Sequence, residues 1–183
     1  YATCSDHVIK KMLLHAPIQL SHWDYLLTQF RVIRTYLGLL IFPVNQCLDY
    51  DYRLSSGWGD PDTWVAFSTL FVIMVSAVVL FKKYRLLSFG VFFFFLTLIP
   101  ESSVFPARDV IFEHRLYLPM FGFALFTASL LWMILRSSGR FLAVTLIVSI
   151  ILAGMAHARN EVWKSPFALW RDNIKKAPFK WRP

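Results

Sequence analysis

The chain has 183 residues, of which 57% are hydrophobic and only 16% are charged. Soluble domains average roughly 45–50% apolar and 25% charged residues, so this composition excludes an ordinary water-soluble globule. The net charge of +8 comes without a recognition motif, so no nucleic-acid partner is expected. We therefore expect an all-α membrane protein, with membrane lipids among its partners.

Residues 1–43 carry apolar side chains at helical spacing among charged ones. This pattern predicts amphipathic, interfacial helices that lie on the membrane surface, with Ser21 as the N-cap of the second helix. Within this part, residues 32–44 are apolar enough for a possible fifth membrane segment or a shallow dip into the membrane. The alternative, which stays open, is that these helices only cap the helical bundle.

Four further stretches predict transmembrane helices, each of which needs about 20 apolar residues. They are residues 64–81, 86–100, 117–135 and 141–157. The second stretch has only 15 residues, and we expect it to fit through local thinning of the bilayer or snorkelling of Arg85. Together the four stretches define a four-helix transmembrane region over residues 64–157.

The charges of the connecting turns predict how the helices are oriented. Short cytoplasmic loops carry an excess of Lys and Arg, and the turns at residues 82–85 and 136–140 contain only basic charges. We therefore predict that both turns are cytoplasmic. The outer loop at 44–63, the segment at 101–116 and the tail at 158–183 are then extracytoplasmic. The tail is itself basic, but long extensions translocate largely regardless of charge, so the two short turns decide.

The residues most informative for function lie at the outer end of the third predicted transmembrane helix. Glu113, His114, Arg115 and Tyr117 form a charged, hydrogen-bonding cluster there. Such a cluster is suited to bind an anionic lipid headgroup or a sugar phosphate, because Arg offers a bidentate fork to phosphate oxygens. The Glu113 carboxylate could hold Arg115 or bind a sugar hydroxyl. The alternative is a loop of solvated charges.

Two other pairs are further candidates. Arg31 and Arg34 are three residues apart, share a helical face and could meet the same phosphate, although snorkelling explains them equally well. Asp49 and Asp51 superficially resemble a D-x-D pair, but without neighbouring ligands we interpret them as a loop feature and predict no metal site. The two cysteines permit at most one disulfide, and the sequence leaves their pairing open.

Three segments carry a family resemblance. Residues 113–119 read EHRLYLP and are followed by Gly122, which resembles the E-R-x-L-Y-L-P-S-x-G-F signature of membrane proteins with C-terminal tetratricopeptide repeats, including an O-mannosyltransferase-like group. Residues 36–43 and 48–52 resemble the Y-L-x-L-L-x-x-P and L-x-x-D-Y segments of that group. Residues 169–172 resemble the lead-in to a first repeat.

The resemblance covers the chain from about residue 25 to its end, with two departures. His114 stands where the family has the arginine that follows the glutamate, and Arg115 comes one place later. Met120 replaces the usual serine. Which of the two basic side chains faces a phosphate therefore stays open.

The resemblance implies a glycosyltransferase that moves a mannose-like sugar from a polyprenyl or dolichyl phosphate donor to a protein hydroxyl on the extracytoplasmic side. It places the general base in an earlier outer loop, so we assign no catalytic residue here and interpret the chain as the C-terminal transmembrane half of a longer protein. No cofactor is evident. The tail at 158–183 is expected to lead into repeats that hold the protein acceptor. The alternative is a non-enzymatic membrane anchor for that repeat scaffold.

Overall fold

The computed structural model describes residues 21–55, 57–100, 102 and 110–177. This part of the chain is all-helical and contains no β-strand, and the first predicted interfacial helix lies outside it. Its elements in chain order are α1 (His22–Ile41), α2 (Pro61–Leu80), α3 (Arg85–Leu98), a 3-10 helix (Glu113–Leu116), α4 (Tyr117–Leu135), α5 (Ser138–Trp163) and α6 (Pro166–Lys176).

Three of the described helices are long and apolar enough to cross a membrane. They are α2, α4 with the 3-10 turn before it, and α5, and they match three of the four predicted crossings. The expectation of four clear crossings is met only in part, because α3 has 14 residues. That is about 21 Å of helix against a hydrocarbon core of about 30 Å. Pro100 lacks a backbone donor and lies two residues beyond its end, so α3 does not continue.

α1 is packed into the bundle along one face. Tyr25, Val32 and Tyr36 on that face are completely buried. The predicted fifth segment, residues 32–44, is mostly the second half of α1, which is not among the helices apolar enough to span a membrane. Ser21 does occupy the N-cap position, but it accepts through its backbone carbonyl and its side chain makes no capping hydrogen bond.

The hydrophobic core lies where α1 meets α2, α3 and the segment before α4. Its buried residues are Val32, Ile33, Tyr36, Leu70, Phe94, Leu98, Ile111 and Leu116. By contrast, α5 has no buried residue and contacts α4 near their shared turn, where the Trp132 and Phe141 ring centroids are 5.6 Å apart. The apolar surface of α5 is therefore left for lipid.

Two glycines allow α3 and α4 to touch backbone to backbone. A Cβ atom on Gly90 would lie 2.7 Å from the Gly122 carbonyl oxygen, and a Cβ on Gly122 would lie 2.6 Å from that of Gly90. Small residues at a helix crossing permit this close approach in membranes, where packing rather than the hydrophobic effect drives helix association. The contact fixes α3 antiparallel to α4 and so brings the α2–α3 turn beside the end of α4.

We predict that Gly90→Ala and Gly122→Ala each lower the free energy of unfolding by about 1–3 kcal/mol, because the added methyl group meets backbone atoms that cannot move aside. Thermal unfolding of the purified protein in a neutral detergent measures the change. Gly154→Ala is the matched control, because nothing lies within 4 Å of that position in α5; it should be neutral or stabilising by up to about 1 kcal/mol. Unfolding of Gly122→Ala at the wild-type temperature would contradict the prediction.

Candidate functional site

A cavity of about 620 Å³ lies between the end of α1, the following loop, the start of α4 and the last third of α5. Its lining includes apolar side chains such as Leu39, Leu152 and Met155. It also carries polar groups, which are Gln46, Glu113, His114, Tyr117, Arg159 and Asn160. The cavity is therefore amphipathic, and three of the six predicted site residues line it.

Buried polar side chains of α1 hold the backbone that leads into the 3-10 helix. The Tyr36 hydroxyl donates to the carbonyl of Phe112 and accepts from its amide, both at 2.9 Å. The Gln29 amide donates to the Val110 carbonyl at 3.2 Å. Because this backbone is not helical, its polar groups need partners from elsewhere. Tyr36 and Gln29 supply them and thereby fix where Glu113 begins the 3-10 helix.

Glu113 is held from a loop more than sixty residues earlier in the chain. Its Oε1 atom accepts from the Cys47 amide at 2.8 Å and from the Tyr50 hydroxyl at 2.5 Å. Burial, together with the hydrogen bond and the charge of Glu113, raises the pKa of Tyr50 well above its usual value. The phenol therefore stays protonated and keeps donating to the carboxylate, which orients Glu113 at the cavity wall.

The 3-10 turn separates the two basic residues that follow Glu113. His114 is exposed and lines the cavity, with its ring centroid 4.9 Å from that of Phe112. Arg115 does not line the cavity: it donates to the Val110 carbonyl at 3.4 Å and its guanidinium lies 5.4 Å from the Phe112 ring centroid. Of the two side chains that the sequence left open, His114 is the one at the cavity, and the exposed Tyr117 lies beside it.

Arg31 and Arg34 do not line the cavity. Arg31 is buried and pairs with two carboxylates at the start of α2, Asp60 at 3.1 Å and Asp62 at 3.6 Å. This ion pair ties α1 to α2. Arg34 is half-buried. Burial raises the pKa of nearby Tyr52, although the charges of Arg31 and Arg34 act to lower it.

Sequence reasoning missed Arg159, which it counted only among the charges of the tail. The side chain lines the cavity and its Nη1 atom is 2.6 Å from Oδ2 of Asp172. Lys176 reaches the same oxygen at 2.9 Å. Burial opposes ionisation of Asp172, but the hydrogen bonds and charges of Arg159 and Lys176 outweigh it and lower its pKa. Arg159 and Lys176 therefore share one carboxylate, and these three side chains together carry an excess of positive charge.

The helix after the last crossing is docked on the loop that holds Glu113. The Oδ1 atom of buried Asn173 accepts from the Asp49 amide and from the Cys47 thiol, both at 3.0 Å. Burial raises the pKa of that thiol, so it remains a donor. Lys176 adds a hydrogen bond of 2.8 Å to the Gln46 carbonyl. α6, residues 46–50 and Glu113 thus form one hydrogen-bonded network.

The D-x-D pair does not present two carboxylates to one place, because Asp49 is buried and Asp51 is exposed. Among the residues that the structure describes, no group of three or more His, Cys, Asp or Glu side chains could hold a metal ion. Cys47 carries a free thiol, and Cys4 lies outside the described ranges.

No family model matches the chain, and neither the curated proteins nor the solved structures contain a match. The resemblance to membrane proteins with tetratricopeptide repeats therefore stays a prediction.

We predict that Asn173→Ala increases the rate at which maleimide modifies Cys47 by about tenfold, measured in a Cys4→Ser background. The loss of hydrogen bonds worth about 1–1.5 kcal/mol raises the open population of the loop by that factor. Ile174→Ala is the control, because this neighbouring side chain is 63% exposed. Equal rates for the two variants would contradict the described docking of α6.

We predict that the stability that Tyr50 adds over Tyr50→Phe is lost at high pH. Its pKa in the folded protein is raised above the ordinary value of 10.0, so the contribution is fully present below pH 10 and falls as the pH rises toward the folded-state pKa. Thermal unfolding of both proteins between pH 8 and pH 11.5 measures this difference. A difference that grows above pH 10 would contradict the prediction.

Proposed function

We propose that this chain is the donor-binding half of a membrane glycosyltransferase. In this proposal, the cavity beside Glu113 holds the phosphate-linked end of a polyprenyl or dolichyl phosphate sugar, and the sugar passes to a protein hydroxyl. The observation that carries the proposal is the amphipathic wall of the cavity, apolar from α1 and α5 and polar from Glu113, His114 and Arg159. Its volume of about 620 Å³ lies within the range of about 300–1,000 Å³ that small-molecule sites occupy.

Access to the cavity suits a donor that arrives from the bilayer. Leu152 and Met155 of α5 line it, and no residue of α5 is buried by the rest of the protein. A polyprenyl chain can therefore follow the exposed side of α5 while its polar end enters between α5 and the 3-10 helix. Met120, which stands where the related family has serine, also lines the cavity and adds apolar surface for that chain.

In this proposal, the polar groups of the cavity bind two different parts of the donor, the phosphate and the sugar. Arg159 is suited to the phosphate, because the charge it shares with Lys176 exceeds that of Asp172 and a phosphate can compete for its donors. His114, which also lines the cavity, is a second donor. Both hydrogen bonds that described residues give to Glu113 fall on Oε1, so its carboxylate is oriented and retains acceptor capacity for a sugar hydroxyl. No residue of this chain is assigned as the general base.

The proposal includes an orientation of the helices in the membrane. α3 is paired with α4 through the glycine contact, so α3 crosses together with α4 despite its length, with the bilayer thinned around it. The chain then crosses four times, the turns at 82–85 and 136–140 face the cytoplasm, and the cavity opens on the extracytoplasmic side. The segments at 44–63, 101–116 and 158–183 lie on that side as well.

We predict that Arg159→Ala and His114→Ala lower donor-dependent sugar transfer by full-length protein in membranes. The loss of one charge-assisted hydrogen bond to phosphate costs about 1.5–3 kcal/mol, or roughly 10- to 100-fold in rate. Arg171→Ala is the matched control, an exposed arginine of α6 that does not line the cavity, and should stay within about twofold of wild type. Unchanged transfer by both cavity variants at normal expression would contradict the proposal.

A second candidate is a non-enzymatic anchor that fixes an outer repeat scaffold to the membrane. The observation in its favour is the docking of α6, which Asn173 and Lys176 tie to the loop and Asp172 ties to α5. A scaffold needs such a fixed junction, whereas a donor site does not. In the transfer experiment, an anchor gives no donor-dependent activity for wild type or any variant, although Asn173→Ala would still loosen α6.

A further inference from the structure

A second cavity of about 260 Å³ lies between α2, α3 and α4, at the end of the bundle opposite the first cavity. Its walls are almost entirely apolar and include Val72, Ala77, Leu87 and Met133. The Ser76 hydroxyl at its edge is already bonded to the Val72 carbonyl at 2.7 Å. Apolar cavities do not hold water well, and one of about 150 Å³ already binds benzene, so this space suits a hydrocarbon chain.

Two basic turns meet at the mouth of this cavity. Tyr84, within the α2–α3 turn, and Met133, three residues before Arg136, both line it. The first turn carries Lys82, Lys83 and Arg85, and the second carries Arg136 and Arg140, all of them exposed. The Lys83 ammonium lies 5.2 Å from the Tyr84 ring centroid, which keeps that cation beside the cavity.

These cations have no carboxylate near them in the sequence. No Asp or Glu occurs between Asp62 and Glu101, or between Glu113 and Glu161. At the other end of the bundle, by contrast, Asp60 pairs with Arg31 and Asp172 pairs with Arg159. The positive charge at this end is therefore left for an anionic partner, and basic pockets between transmembrane helices are places where anionic lipid headgroups bind.

We propose that this second cavity and the two basic turns form one binding site for an anionic phospholipid. One acyl chain occupies the cavity, and the phosphate is held by Lys82, Lys83, Arg85 and Arg136. Val72 lines the cavity and is 61% exposed, so the acyl chain can enter from the bilayer without any helix moving. The site is independent of the first cavity and of any sugar transfer.

The test compares phosphatidylglycerol with phosphatidylcholine of the same acyl chains, added to the purified full-length protein in a neutral detergent. Binding is measured by native mass spectrometry, and the unfolding temperature is followed in parallel. We expect phosphatidylglycerol to bind at least tenfold more tightly and to raise the unfolding temperature more. Equal binding of the two lipids overturns the proposal.

Two variants separate the charges from the cavity. The triple variant K82Q/K83Q/R85Q should lose the preference for phosphatidylglycerol, whereas R171Q/K175Q, which removes exposed cations from α6, should keep it. Val72→Trp fills the cavity from its exposed side and should weaken phosphatidylglycerol binding at least tenfold while leaving the unfolding temperature in phosphatidylcholine unchanged.

Three outcomes overturn the site as proposed. Loss of the preference in R171Q/K175Q would mean that net charge alone attracts the lipid. Full binding by Val72→Trp, with glycerol phosphate competing equally well, would mean a surface that binds headgroups without the cavity. A fall in the unfolding temperature of Val72→Trp without any effect of either lipid would mean that another part of the protein fills the cavity.

Discussion

The pair of hydrogen bonds between Tyr36 and the backbone of Phe112 is the constraint on which the first cavity depends. The segment from Val110 to Phe112 runs extended between two helices that pack beside the core, and its backbone groups would be costly to leave unsatisfied there. Tyr36 satisfies both groups of Phe112, and Gln29 satisfies Val110. These contacts decide the direction in which the 3-10 helix starts, and so the positions of Glu113 and His114.

Charge is distributed differently at the two ends of the bundle, so the two cavities have different charged groups beside them. Around the first cavity, acids and bases are matched by specific partners: Arg31 has Asp60, and Arg159 has Asp172. Such pairing makes the geometry specific and leaves one positive charge in excess where Arg159 and Lys176 share Asp172. At the other end, the exposed cations of the two basic turns have no Asp or Glu near them in the sequence. The charges of the first cavity are therefore held by partners within the protein, whereas the basic turns offer theirs to the anionic headgroup proposed above.

The sequence was sufficient for three of the predicted crossings but only in part for the site. Apolar length predicted α2, α4 and α5, because a helix that crosses a bilayer must be about 20 residues long and its own backbone bonds form within it. The glycine contact that pairs α3 with α4 depends on which faces meet, and hydropathy does not contain that information. The stretch predicted at residues 86–100 lies within two residues of α3 at either end, and the error was to count so short a helix as a clear crossing.

The partners of Glu113 could not be predicted, because the residues that hold it are distant in sequence. Tyr50 is 63 positions away, and Asn173 contacts the same loop across 124 positions. The choice between His114 and Arg115 was equally out of reach, since it depends on a 3-10 turn with about three residues per turn instead of 3.6. Arg159 was overlooked because a cation just after an apolar run is usually an interfacial anchor.

The network around Glu113 also joins the tail to the cavity in both directions. Asn173 fixes residues 47–49 from one side, and Glu113 accepts from the Cys47 amide on the other. If a partner that binds α6 shifts that loop, Glu113 loses the hydrogen bond from the Cys47 amide. If a ligand moves Glu113, the loop that Asn173 contacts is held less firmly. Because coupling free energies are reciprocal, a partner that binds α6 and a ligand that binds at Glu113 must change each other's affinity by the same factor.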